Sequence, residues 1–156
     1  MTKATTIGVI SDTHGLIRPE ALEFLQGSDL IIHAGDIGKP EVLESLREIA
    51  PVYAVRGNND KQPWAEGLPY TEVVEVESHF LYVLHEIQCL DLDPGAAQFS
   101  AVIFGHSHHP LAEYRKGVLY LNPGSAGPRR FHLPIALARL YINETKLVHE
   151  IVELKG

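Results

Sequence analysis

Three apolar runs that end in polar segments place the tightest constraint on how this chain can fold. Each run is short and rich in β-branched side chains, which is typical of a central, buried strand. The runs are residues 7–10, 30–34 and 101–104. The metal-binding side chains that follow them are those of Asp12, His14, Asp36, His106 and His108. Because parallel strands end at one edge of a sheet, where α/β proteins bind their ligands, we expect these side chains to share one cleft.

Two more metal-binding side chains follow predicted strands. Asn58 comes after residues 52–55, and His85 comes after residues 79–84. The cleft would then contain seven oxygen and nitrogen donors, enough for two metal ions: Asp12, His14, Asp36, Asn58, His85, His106 and His108. Two divalent ions beside only two carboxylates leave a residual positive charge, which favours a phosphate oxyanion as the ligand.

The donor types narrow the choice of metal. Carboxylate, amide and imidazole ligands without sulfur favour Mn²⁺, which we place first, or Fe²⁺, Ni²⁺, Zn²⁺ or Co²⁺. Four histidines among the donors argue against pure Ca²⁺ chemistry. The expected cofactor is therefore a pair of divalent metal ions.

The rest of the pattern predicts an α/β fold, built as a four-layer αββα sandwich of two mixed β-sheets flanked by helices. Helices are expected over residues 19–25 and from residue 40 until Pro51, each with a proline in its first turn. Further strands are expected over residues 71–76, 79–84, 111–114, 118–121, 135–141 and 146–154. In this scheme the parallel half of the chain comes first and the more antiparallel half second.

Composition excludes several classes of protein. The chain has 156 residues and a net charge of −7, which fits a single domain over residues 1–156 and disfavours binding to long nucleic acid. Cys89 is the only cysteine, so no internal disulfide or thiolate-built zinc site can form. We expect it to be a small buried hydrophobe.

Residues 1–6 lack the features of a signal peptide, and no apolar run could span a membrane, so a cytoplasmic location is expected.

Five motifs in a fixed order carry a resemblance to a known family. They are an Asp-x-His, a Gly-Asp, a Gly-Asn-x-Asp, a lone His after a strand and a Gly-His-x-His, between residue 7 and about residue 130. This order resembles the calcineurin-like metallophosphoesterases. The short length, the Gly-Asn-Asn-Asp variant at 57–60 and the Asn-Pro-Gly-Ser at 122–125 are similar to the small bacterial and archaeal phosphodiesterases of that superfamily. A related non-catalytic scaffold belongs to the retromer complex.

The resemblance implies a role for each motif residue. It assigns Asp12, His14, Asp36 and His108 to the first metal and Asp36, Asn58, His85 and His106 to the second, with Asp36 as the bridge. It also implies that a hydroxide bridging the two metals attacks the phosphorus of a small phosphodiester. The positions that we expect to be catalytic are Asp36, Asn58, Asn59 and His85.

The chain departs from the family pattern at two positions. Asn59 stands where a histidine often assists the leaving group, and Glu86 follows His85 where glycine is common. An amide cannot act as the acid, which predicts a preference for diesters over monoesters. The alternatives are a phosphomonoesterase, a nuclease for short oligonucleotides, or a non-catalytic protein-binding scaffold of the same fold.

Several residues outside the donor set are also candidates. Arg129 and Arg130 could bind a substrate phosphate, and His109 either lines the cleft or faces solvent. His33 lies inside an apolar strand, where it either supports a metal ligand or is a hydrogen-bonded core residue. Arg56 could reach the substrate or form a surface ion pair. The expected partner is a small phosphodiester substrate, and the exposed strands of the second half could support a homodimer, which the sequence does not decide.

Overall fold

The computed structural model describes residues 4–155 of the chain. The prediction that the first six residues carry no signal peptide falls partly on residues 1–3, which lie outside the described part. Within residues 4–155, no helix combines the length and the apolar character that crossing a membrane requires.

Two sheets and two α-helices make up the described chain. In chain order the elements are β1 (Thr5–Ile10), α1 (Pro19–Leu25), β2 (Leu30–His33), α2 (Pro40–Arg47), β3 (Val52–Ala54), β4 (Thr71–Val76), β5 (His79–Leu84), β6 (Ala101–Ile103), β7 (Leu111–Arg115), β8 (Val118–Asn122), β9 (Ile135–Ile142) and β10 (Leu147–Leu154). Short 3₁₀ helices cover Pro63–Ala65 and Ile87–Cys89.

Both sheets have five strands and are mixed. The strand order of the first is β10-β9-β1-β2-β3, and that of the second is β4-β5-β6-β8-β7. The three central strands of the second sheet, β5, β6 and β8, run parallel, as do β1, β2 and β3 of the first. All of the other strand pairs are antiparallel.

The core lies between the two sheets, because each sheet turns an apolar face inward. Alternate residues of β1 and β5, such as Ile7, Val9, Leu81 and Val83, are buried in one cluster that both sheets share. Helices α1 and α2 cover the outer face of the first sheet. A proline opens each helix, and the apolar side of α2 is buried against that sheet.

The predicted sandwich of two mixed sheets is confirmed, with three differences in detail. The split into a parallel half followed by an antiparallel half was wrong, because β9 and β10 return to pair with β1 in the first sheet. The layer outside the second sheet is thin: a 3₁₀ turn and an irregular segment supply Ile87, Leu90 and Phe99. Cys89 was expected to be buried, but it lies exposed on that turn.

Candidate metal centre

The seven predicted donors all follow strand ends. Asp12 and His14 come after β1, Asp36 after β2, and Asn58 after β3. His85 directly follows β5, and His106 and His108 come after β6. These strands run parallel within each sheet, so their carboxyl ends lie at one edge, and the structure brings the donors of both sheets together there.

The backbone at this edge is unusual. Several donor residues adopt a left-handed conformation that non-glycine residues rarely take. They are Asp12 (φ 54°), His14 (φ 47°), Asp36 (φ 56°), His106 (φ 73°) and His108 (φ 65°). Strained conformations of this kind persist where the surrounding structure holds them, and they concentrate at functional sites.

One group of donors is centred on Asp12. Its Oδ1 lies 3.4 Å from Nε2 of His108 and 3.7 Å from Nε2 of His14, and the two imidazole nitrogens are 3.4 Å apart. The Asp12 side chain is fully buried, and this oxygen has no hydrogen-bond partner among the described residues. The second carboxylate oxygen accepts from Ser11 Oγ and from the backbone N–H of His106, which turns Oδ1 toward the cleft.

A second group adds Asp36 and His85 to Asp12. Nε2 of His85 lies 3.3 Å from Oδ2 of Asp36 and 3.8 Å from Oδ1 of Asp12. The same Asp36 oxygen is 3.7 Å from Nε2 of His14. Asp36 therefore lies within reach of donors from both groups, as expected for a bridging carboxylate.

Asn58 and His106 form the more exposed side of the centre. Oδ1 of Asn58 is 3.2 Å from Nδ1 of His106, and Oε1 of Glu86 is 3.6 Å from the same nitrogen. Glu86 therefore adds a third carboxylate next to the donors. The Glu86 side chain points toward His106, at the edge of the cleft.

Hydrogen bonds fix the orientation of two donor side chains. Nδ1–H of His85 donates to the carbonyl of Ala34 at 2.7 Å, which leaves Nε2 as the nitrogen that faces the carboxylates. Asp36 accepts from the backbone N–H of Asn59 at 2.9 Å and from its side-chain amide at 3.1 Å. Asn59 thus contacts the predicted bridging carboxylate directly.

The glycines of the motifs permit close packing around the carboxylates. A Cβ at Gly105 would overlap Oγ of Ser11 and lie 2.6 Å from Oδ2 of Asp12. A Cβ at Gly57 would overlap the carboxylate and the backbone of Asp36. Side chains at either position would displace the donors, so the glycines belong to the site although they bind nothing themselves.

Asp60 is a buried residue whose role the sequence did not reveal. Its carboxylate accepts backbone N–H groups from Ile37 at 3.2 Å, Gly38 at 3.1 Å and Gly57 at 2.9 Å. It therefore ties the loop after β2, which carries Asp36, to the loop after β3. The signal available in sequence was its place at the end of the Gly-Asn-Asn-Asp motif.

The segment after β8 supports the loops on the other side of the cleft. The Asn122 amide donates to the carbonyl of Gly105 at 3.1 Å and to Oγ of Ser107 at 3.2 Å. Ser125 Oγ donates to the carbonyl of Asp12 at 2.9 Å. The Asn-Pro-Gly-Ser segment therefore fixes two loops by hydrogen bonds: the loop after β1, which carries Asp12, and the loop after β6, which carries His106 and His108.

His33 is fully buried below the centre. Its Nδ1 accepts from the backbone N–H of Gly35 at 3.1 Å, so Nε2 carries the proton and donates to Oγ1 of Thr13 at 3.0 Å. Thr13 in turn donates to the carbonyl of Ile37. Burial lowers the pKa of His33 to about 4. The neutral ring therefore links the loop after β1 to the loop after β2.

Burial and neighbouring charges shift the pKa values of the donor carboxylates in opposite directions. Burial alone would raise the pKa of Asp12, but its contacts with His108, His14, His85 and Ser11 together outweigh burial and hold the pKa well below its ordinary range. Burial likewise acts to raise the pKa of Asp36, but its contact with His85 and the backbone N–H of Asn59 together lower it. The pKa of His14 is raised, chiefly by its contact with Asp12. Both carboxylates are therefore ionised, and their field favours a cation.

The donor set fits divalent metal ions. Ligand atoms bound at ~2.0–2.2 Å to one ion lie about 3–3.5 Å from each other, close to the separations among Asp12, His14 and His108. Buried polar atoms without partners are costly, and Oδ1 of Asp12 and Nε2 of His85 are both buried without hydrogen bonds. A cation beside them would satisfy both.

Two cavities border the centre. The first, of about 210 Å³, is lined by His14, His108, Pro128, Arg129 and Arg130. The second, of about 220 Å³, lies beside Asn58 and His85 and is also lined by Arg56, Tyr70, Leu84, Glu86 and Cys89. The structure therefore places both predicted arginines next to the donors.

His109 and Arg56 differ in their relation to the centre. His109 is exposed, its backbone N–H is bonded to Oγ of Ser107, and it lines neither of these two cavities. The Arg56 guanidinium instead lies 5.3 Å from the ring centre of Tyr70, and its Nε donates to the carbonyl of Asp60. The surface ion pair considered for Arg56 is absent among the described residues.

Comparison with known proteins decides the family. The sequence matches the calcineurin-like phosphoesterase superfamily domain over residues 6–145. The chain belongs to this superfamily. It is 35% identical to a protein named "probable metallophosphoesterase" from Methanothermobacter thermautotrophicus, over 94% of this chain and 91% of that protein.

Two further comparisons give a relative by sequence and a solved structure with the same fold. The chain is 26% identical to a phosphodiesterase of Methanocaldococcus jannaschii, over 76% of this chain and 82% of that protein. Vacuolar protein sorting 29 from Cryptosporidium parvum superposes with a TM-score of 0.82 at 22% identity, covering 99% of this chain and 93% of the other, which shows a shared fold. Together, family and donor groups indicate a phosphoesterase that binds divalent metal.

Proposed function

We propose that this protein is a phosphodiesterase that uses two divalent metal ions, Mn²⁺ first among them, to hydrolyse a small phosphodiester. The observation that carries the proposal is the meeting of two donor groups at Asp12, with Asp36 within reach of both. Family membership and the phosphodiesterase among the relatives support the type of reaction.

Each part of the centre has a proposed task. The first ion would be held by Asp12, His14, Asp36 and His108, and the second by Asp36, Asn58, His85 and His106. When bound, two such ions lower the pKa of water and neutralise charge on the phosphate oxygens. The hydrogen bond from His85 to Ala34 keeps Nε2 directed at the site. Arg129 and Arg130 would donate to phosphate oxygens from the cavity beside His14 and His108.

A diester is the proposed substrate class because of the residue at position 59. The alkoxide leaving group of a monoester gains most from a nearby acid, and the amide of Asn59 cannot supply a proton. Asn59 instead donates to Asp36 and orients that carboxylate. Monoesters and short oligonucleotides are the alternative substrates, and the ratio of kcat/KM for matched mono- and diesters distinguishes monoesters from diesters.

The first experiment tests dependence on metal. We expect a chelator to abolish hydrolysis of bis(4-nitrophenyl) phosphate and Mn²⁺ to restore it, with Mg²⁺ less effective because imidazole ligands suit it poorly. Metal analysis of the reconstituted protein should give two ions per chain. Full activity in thoroughly metal-stripped protein would contradict the proposal.

A non-catalytic scaffold is the second candidate function. The fold shared with vacuolar protein sorting 29 favours it, whereas the presence of all seven donor residues in the sequence favours catalysis. A scaffold would show no hydrolysis with any divalent ion, so the same titration separates the two.

The cytoplasmic location stays a prediction. The homodimer also stays a prediction. The edge strands β7 and β10 are candidates for its interface, and analytical ultracentrifugation would measure the oligomeric state.

A further inference from the structure

The cavity beside Asn58 and His85 has an unusual lining for a site that binds phosphate. Tyr70, Leu84 and Cys89 contribute to its wall, and the lining is mostly apolar. The cavity on the other side of the centre, next to His14, has a more polar lining, which includes Arg129 and Arg130. The two sides of the metal centre therefore offer different chemistry to the two ester groups of a diester.

The wall of this cavity is tied to the metal centre by the backbone. The N–H of Arg56 donates to the carbonyl of Pro69 at 2.7 Å, which fastens the segment before β4 to the loop that carries Asn58. Nε of Arg56 donates to the carbonyl of Asp60 at 2.7 Å. Tyr70 is 65% exposed but stands beside this anchored guanidinium, so its ring is held at the mouth of the cavity.

The volume limits what can enter. At about 220 Å³ the cavity is smaller than the roughly 300–1,000 Å³ typical of sites for drug-sized ligands, and it suits a single ring. Tyrosine rings and arginine guanidinium groups both stack on flat aromatic groups. An aliphatic chain would gain only the burial of its surface, whereas an aromatic ring gains stacking as well.

We propose that the cavity lined by Arg56, Tyr70 and Leu84 binds an aromatic ring carried by one ester group of the substrate. The substrate class is then an aryl or nucleobase-bearing phosphodiester whose ring lies beside Asn58 and His85. This inference rests on the proposed phosphodiesterase function, because the phosphate must lie at the metal centre for the ring to reach the cavity.

The test uses two phosphonates that cannot be hydrolysed at the carbon–phosphorus bond. Benzylphosphonate carries the ring, and cyclohexylmethylphosphonate is its aliphatic match. We expect the Mn²⁺-loaded protein to bind benzylphosphonate about five- to tenfold more tightly by calorimetry, a factor within the range of ring stacking. Tyr70→Ala should remove that preference, and Tyr70→Phe should retain it because the ring remains.

A matched control and the rate data complete the design. Tyr114→Ala removes another exposed tyrosine, on β7, and should leave the preference at the wild-type value. Tyr70→Ala should raise KM for an aryl methyl diester more than it changes kcat. Equal affinity for the two phosphonates, or an undiminished preference in Tyr70→Ala, would overturn the inference.

The inference and the proposed function fail in different ways. Hydrolysis of diesters without any ring preference would overturn the aromatic subsite alone. A ring preference that Tyr70→Ala abolishes, in a protein that hydrolyses no diester with any metal, would overturn the proposed function and support the cavity as a ring-binding site.

Discussion

A single carboxylate oxygen of Asp36 lies near imidazoles from both donor groups, at 3.3 Å from His85 and 3.7 Å from His14. Asp36→Asn keeps the size of the side chain and removes its charge. We expect kcat for an aryl diester to fall by about a hundredfold or more, as when groups that act as a unit are broken. Metal content should fall at both sites together.

A matched substitution controls this experiment. Asp91 is exposed and belongs to neither donor group, so Asp91→Asn should keep wild-type activity and metal content. The far-ultraviolet circular dichroism spectrum should be unchanged in both variants, because Asp36 lies at a strand end outside the core. Two bound ions and wild-type turnover in Asp36→Asn would show that this carboxylate is not the bridge.

Asn59 distinguishes the substrate classes. Replacing it with histidine would introduce an acid where the leaving group departs, and general acid catalysis is typically worth about 10²–10⁴-fold. We expect Asn59→His to raise the ratio of monoester to diester kcat/KM, most for alkyl leaving groups. The measurement compares matched aryl and alkyl mono- and diesters in both proteins.

The contact with Asp36 gives Asn59 a second role that has its own control. Asn59→Ala loses the amide that donates to Asp36 at 3.1 Å and gains no acid, so it should lower turnover of both substrate classes by a similar factor. If Asn59→His matches Asn59→Ala in lowering both alike, the missing acid does not explain the diester preference. A wild type faster on monoesters would overturn the diesterase assignment.

The residues that could bind metal were predicted from the sequence. The role of a residue whose carboxylate accepts backbone N–H groups could not be predicted. The donors are recognisable because each follows an apolar run, as His85 follows β5. The role of Asp60 depends on which N–H groups approach its carboxylate, and two of them come from Ile37 and Gly38, more than twenty residues away. No local pattern encodes that approach.

The loop after β6 packs directly against the loop after β1. Gly105 stands at this contact, where a Cβ would overlap Ser11. We expect Gly105→Ala to destabilise the fold by about 1–3 kcal/mol, the usual cost of overpacking, and to weaken metal binding because Asp12 must move. Urea unfolding and metal titration measure the two effects.

Gly67 provides the control for the same chemical change. No atom lies within 4 Å of a Cβ built there, so Gly67→Ala should change neither stability nor metal affinity by a measurable amount. Equal behaviour of the two variants would mean that the loops after β1 and β6 can separate at no cost, which the close packing argues against.

Element positions were predicted better than sheet membership. Helix α1 and strands β4 and β5 have the predicted bounds, because proline, turn residues and alternation mark their ends in the sequence. The pairing of β9 with β1 was missed. Alternation of apolar and polar residues identifies a strand but does not specify the strand it pairs with. The apolar residues of β9 could be buried in either sheet.

The sandwich of two sheets separates an apolar interior from a polar edge. The two sheets share a core of buried apolar side chains, and the ionised donors lie at the strand ends where both sheets meet. His33, at the end of β2, is a polar ring with no exposed surface. Its burial makes the stability of the whole fold depend on pH.

The sign of that dependence follows from the pKa of His33, which is about 4 in the folded protein and about 6.5 in an unfolded chain. As pH falls from about 6.5 to about 4, the unfolded state binds the proton first, so stability falls; the effect is complete below pH 4. The loss from this one residue is at most about 3 kcal/mol. We expect His33→Gln, which cannot titrate, to lose less stability than wild type over this range, in urea unfolding of metal-free protein. Parallel pH profiles would show that His33 does not titrate differently in the two states.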